Sequence, residues 1–212
     1  MQEAFVRPLF LARRVLEQER RQRGRKVYSL HAPEVECIGK GRPYEFGAKV
    51  SVATPVKHSA GGQFVTHAAA LPGNPYDGHT LSTVIAQMQA LIGNILDRCI
   101  TDAGYRGTTP HPITSSRSTR AARGRVTPQI KREFKRWAAI EPVIGHLKEH
   151  HRMGLNHLAH ASGDAINPVL AAAGYNFRRL LACLRLLLLR ILIAFSLPTQ
   201  LKSSEIGFVT AD

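Results

Sequence analysis

NILDRCITDAGYRG, residues 94 to 107, carries an apolar run into an acid and then into a glycine-rich turn. Ile95, Leu96, Cys99 and Ile100 read as a buried strand that ends at Asp102. In open α/β sheets ligands gather outside the carboxyl ends of strands, which makes Asp102 a candidate metal ligand. Asp and Gly are also ordinary turn residues where a strand ends in a loop. The two readings part on whether a second acid is equally out of place.

Downstream, residues 107 to 128 form a basic loop rich in Pro, Thr and Ser, with Arg117, Arg120, Arg123 and Arg125 in quick succession. A helical stretch is expected from about Gln129 to Met153. In IKREFKRWAAIEPVIGHLK, Ile130, Phe134, Trp137 and Ile144 share one helical stripe, and Glu141 falls on it. A carboxylate on a core-facing stripe is unfavourable unless it is paired, hydrogen-bonded or bound to a cation. Pro142 offers a structural alternative, since proline disfavours α geometry in the residue before it. Glu141 would then sit at a kink, or open a fresh helix whose dipole suits an acid. A strand-end Asp102, a basic loop and Glu141 together read as a carboxylate site for a hard divalent ion such as Mg²⁺. Such a site performs phosphoryl transfer on a nucleic acid.

Upstream, LPGNPYDGHT, residues 71 to 80, is a loop leading into a helix whose Leu81, Val84, Ile85, Met88, Leu91 and Ile92 share one face. Asp77 is placed to cap that helix. Before it, VYSLH, EVECI, EFGAKVSVAT and QFVTHAAAL read as short strands, with Gly61 and Gly62 marking a turn. Residues 1 to 26 read as a basic helix, and Asp164 opens the last helix, which runs through a Leu-rich segment.

Lys and Arg total 29 against 15 Asp and Glu, a net charge of +14 over 212 residues. That excess points to a polyanionic partner. Lys131, Arg132, Lys135, Arg136 and Lys148 join the four loop arginines as candidate nucleic-acid contacts. Cys37, Cys99 and Cys183 are odd in number and widely spaced, as expected of reduced thiols in a cytoplasmic protein. No secretory signal is expected at the N-terminus. Residues 180 to 197 approach the length of a membrane span, but Arg185 and Arg190 would each cost about 2.5 to 3.5 kcal/mol at its centre. No membrane partner is expected.

The words YSLHAPEVECIGKGRPYEFGAKVSVAT, ALPGNPYDGHTL, ITDAGYRG, WAAIEPVIGHLKEHHRM and GDAINPVLAAAGYNFRRLL occur here in order. From about Val27 to Leu184 the chain resembles bacterial insertion-sequence transposases of the DDE type, in the insertion-sequence-five family. The resemblance implies a ribonuclease-H-like fold, cleavage and strand transfer of DNA at element ends, and Mg²⁺ or Mn²⁺ held by three acids. It also implies DNA ends, target DNA and further copies of the chain as partners. Asp102 matches the family's second Asp and Glu141 its final Glu.

The family's first Asp lies on an opening strand well before YSLHAPEV, whereas no aspartate precedes Asp77 here. The expected fold is therefore α/β, a ribonuclease-H-like mixed sheet with flanking helices that lacks its first, central strand. Residues 1 to 26 are expected to form a basic helical segment, 27 to 197 a partial catalytic domain and 198 to 212 a flexible tail. An N-terminally truncated, inactive transposase and a non-catalytic DNA-binding remnant both fit. A third reading takes HLKEH, with His146, Glu149 and His150, as an inverted zinc-peptidase pattern.

Overall fold

The computed structural model describes residues 2–22, 24–38, 44–57, 61–102, 105, 114–116 and 128–196. Its elements are α1 (Gln2–Glu17), β1 (Glu36–Cys37), β2 (Phe46–Gly47), β3 (Lys49–Ala53), β4 (His67–Leu71), α2 (Asp77–Ile92), β5 (Cys99–Thr101), β6 (Thr114–Ser116), α3 (Pro128–Trp137), α4 (Ile140–Glu149) and α5 (His160–Ser196). The class is mixed α/β. Among the described residues the strands form three separate two-stranded ladders, where the sequence led us to expect one mixed sheet. β1 with β2 and β3 with β4 are antiparallel, and β5 with β6 is parallel.

The β3–β4 hairpin organises the body because successive side chains on a strand point to opposite faces. On one side Val52 of β3 and Ala68 of β4 pack against a cluster of Val65, Val143 and Leu147 with Ala171, Ala172 and Tyr175, which brings in α4 and α5. On the other side Ala53 packs against Leu81, Val84, Ile85 and Met88 of α2, joined by Leu96, Cys99 and Tyr105. The hairpin is thus covered on both faces. Gly61 (φ +86°) and Gly62 (φ +100°) make the turn before β4, and the Cys183 sulfur of α5 sits where a side chain on Gly61 would stand.

Two amide side chains take the place of strand neighbours. The Asn176 side chain on α5 accepts from the Val65 N–H at 2.9 Å and donates to its carbonyl at 2.8 Å. The Gln18 amide does the same for Val27, at 3.0 and 2.9 Å. VYSLH, expected as a strand, is therefore irregular: its buried Val27 finds backbone partners in a side chain.

Helix boundaries differ from the expected single stretch in a way that Pro142 explains. α3 ends at Trp137 and α4 begins at Ile140, so Glu141 lies in the first turn of a new helix, where its charge suits the dipole. Asp77 opens α2 without capping it. Tyr76 is the cap residue and makes no side-chain cap bond, while Asp77 pairs with Lys49 at 2.5 Å. α1 stops at Glu17, short of the expected Lys26, and residues 198 to 212 lie outside the described residues. α5 reaches Ser196, and its leucines and isoleucines from Leu180 onward are exposed. No helix among the described residues is long and apolar enough to cross a membrane.

His67 opens β4, buried, with no hydrogen-bond partner for its Nε2 among the described residues. Burial holds its pKa below the ordinary 6.5. The unfolded imidazole binds its proton near pH 6.5 and the folded one only at lower pH, so the unfolded state holds more protons in between. Stability is therefore complete above about pH 6.5 and falls as the pH drops through the folded value. Denaturant midpoints between pH 7.5 and 5 are expected to decline, and His67→Leu to flatten that decline. A slope unchanged by the substitution would assign the pH response to other groups.

Candidate functional site

A groove of about 1380 Å³ opens between β3, β5, α2 and α4. β3 lines it from Lys49 to Ala53, and β5 lines it from Cys99 to Thr101. Each of these strands is hydrogen-bonded on only one side among the described residues, to β4 and β6 respectively. Thr101 is buried, and its hydroxyl has no hydrogen-bond partner among the described residues.

Asp102 follows β5 directly, and its carbonyl accepts from the Tyr105 N–H at 3.2 Å to close a turn. Asp102 ends the strand in a turn and lines the groove. Glu141 lines the same groove from α4. At about 100° per residue, Ile140, Glu141, Ile144 and Lys148 cluster on one side of α4, beside the buried stripe of Val143 and Leu147. Glu141 was expected to face inward on the stripe of Trp137 and Ile144. The break at Ala138 and Ala139 re-phases the helix, and its carboxylate is exposed at the groove.

Four bases, Lys49, Arg98, Arg136 and Lys148, line the groove together with its six acids. Lys49 is tied to Asp77 and also donates to the Pro75 carbonyl at 2.9 Å, while Arg98 pairs with Glu133 of α3. Arg136 and Lys148 carry no ion pair among the described residues. A smaller pocket of about 450 Å³, lined by Arg7, Arg14, Arg25 and Lys26, is a basic surface. Of the other expected contacts, Arg132 and Lys135 lie exposed on α3. Arg117, Arg120, Arg123 and Arg125 fall outside the described residues, as does the side chain of Lys131.

Sequence reasoning missed Tyr105, Thr101 and Arg98. Tyr105 shares hydrogen bonds with the Thr80 and Ser51 hydroxyls, and its pKa is raised by burial and then by the Asp77 charge. An aromatic inside the glycine turn AGYRG was the available signal. Arg98 and Thr101 have nothing in their spacing to mark them.

Among the described residues no three His, Cys, Asp or Glu side chains converge as a metal site. Six acids line the groove, Glu34, Glu45, Asp77, Asp102, Glu141 and Asp164, and the pair expected to hold a metal, Asp102 and Glu141, is among them. Two carboxylates with several waters and a substrate phosphate suit one Mg²⁺. The histidines of HLKEH lie together on α4, and among the described residues no third ligand completes them. Comparisons of the chain with protein-family models, with curated proteins and with solved structures find no match.

Proposed function

We propose that the groove binds DNA and holds a divalent cation against its phosphates, the chemistry of a DDE transposase on a ribonuclease-H-like framework, with this chain acting as a DNA-binding form that does not cleave alone. The observation that carries the reading is that Asp102 and Glu141, far apart in sequence, line one groove beside Arg136 and Lys148. The two unshared strand edges support it as well. The family's central strand, bearing the first acid, would run between the elements that β3 and β5 represent, and the groove lies between them.

Arg136 and Lys148 draw in the phosphate backbone, since basic side chains bind DNA by displacing its counterions. The Asp102 and Glu141 oxygens supply hard ligands. A cation bound there would polarise a phosphoryl oxygen. Tyr105, braced by Ser51 and Thr80, stiffens the turn that carries Asp102. With two acids in place of three, the paired-ion arrangement that activates a nucleophile and stabilises a leaving oxygen is incomplete.

Mn²⁺ binding followed by electron paramagnetic resonance, in the presence of duplex DNA, tests the site. Asp102→Asn and Glu141→Gln are each expected to weaken it about tenfold or more, the scale on which metal sites respond to lost partners. No Mg²⁺-dependent nicking by the chain alone is expected. Mn²⁺ affinity indifferent to both substitutions would remove the carboxylate site, and robust nicking would show that a third group completes it.

A further inference from the structure

α4 presents a third face beside those of the core and the groove, with its His146 ring 6.5 Å from that of the core Tyr175. On the third, His146 and His150 stand one turn apart, both exposed, with ring centroids 4.9 Å apart and planes tilted by 37°. Their Nδ1 atoms approach to 2.9 Å. A neutral imidazole has one donor and one acceptor nitrogen, so this contact needs the two rings in different tautomers, one proton lying between two nitrogens. Any cation that accepts two imidazole nitrogens can replace that proton.

The spacing selects the cation. Two nitrogens at about 2.0 to 2.1 Å from a metal stand roughly 2.9 Å apart when they subtend a right angle, and about 3.3 to 3.4 Å apart at a tetrahedral angle. The observed 2.9 Å is the right-angled value. Right-angled nitrogen coordination belongs to square-planar or tetragonal ions, Cu²⁺ and Ni²⁺, rather than to tetrahedral Zn²⁺.

We propose that His146 and His150 form a two-histidine chelate for Cu²⁺ or Ni²⁺, independent of the carboxylate groove. The 2.9 Å nitrogen contact joins His146 to His150, while the His151 ring stands edge-on to Tyr175 at 5.8 Å. Among the described residues no third protein ligand is present, so water fills the remaining positions and the ion exchanges freely. That distinguishes the site from a peptidase centre, which needs three protein ligands.

Cu²⁺ titration of the full chain, with nitrogen superhyperfine structure read by electron paramagnetic resonance, provides the test. One exchangeable site with two nitrogen donors is expected. His146→Asn and His150→Asn should each weaken it about tenfold or more, as losing a ligand costs at least what losing a ligand's supporting partner does. His157→Asn and His160→Asn, at exposed positions elsewhere, should leave it unchanged. Ni²⁺ should bind more tightly than Zn²⁺. Far-ultraviolet circular dichroism confirms that each variant keeps its helices. Affinity within about twofold of the parent in either α4 variant, or Zn²⁺ binding at least as tightly as Ni²⁺, would overturn the proposal.

Discussion

Raising the salt from about 50 to about 200 mM is expected to lower the affinity of this chain for duplex DNA by roughly 10³- to 10⁵-fold, the response of a protein neutralising about six to ten phosphates. The net charge of +14 supplies the cations, and the Arg7–Arg14–Arg25–Lys26 pocket gathers four of them on one surface. Fluorescence anisotropy across a KCl series gives the slope. On the proposed function Arg136→Gln and Lys148→Gln should each reduce it by about one, as the loss of one phosphate contact would, and should do so equally for unrelated DNA sequences. Lys49→Gln should change it less, since that ammonium is already held by Asp77 and the Pro75 carbonyl. A flat salt profile would separate the basic charge from DNA binding altogether.

Leu147→Ala is expected to cost about 2 to 5 kcal/mol of folding stability. Leu147 is fully buried (0% exposed) between β4, α4 and α5, among Val65, Val143, Ala171, Ala172 and Tyr175, where a cavity has little chance to collapse. Leu192→Ala removes the same atoms from α5 at a site that is 53% exposed. It should stay within roughly 0.5 kcal/mol of the parent, as surface substitutions do. Urea denaturation of the two variants decides the matter. Equal losses would mean that the exposed half of α5 is packed in solution.

Local periodicity made much of this architecture legible. The alternation of Val50 and Val52 located β3 and the 3.6-residue spacing of Leu81, Val84, Ile85 and Met88 located α2, while Pro142 offered the helix break only as an alternative to the single stretch expected. Asp102 and Glu141 stood out in the sequence as acids at a strand end and on an apolar helical stripe, and both line the groove. Their meeting at one groove depends on how β5 and α4 pack, which neither residue's neighbours encode. The failures are of the same kind. Nothing in the spacing of Gln18 or Asn176 marks them as partners for distant backbone, so VYSLH looked like a strand. Likewise, the exposed groove side of α4 was invisible until the helix break reset its phase.

The amide of Asn176 has a mechanical effect beyond the two bonds it makes. Sliding α5 by a single residue would carry that side chain about 1.5 Å along and roughly 100° around the axis, and both links to Val65 would fail together. One planar group therefore indexes the rotation of the longest helix against the hairpin. A screw motion of α5 cannot begin gradually, because the peg must be withdrawn before the thread can turn.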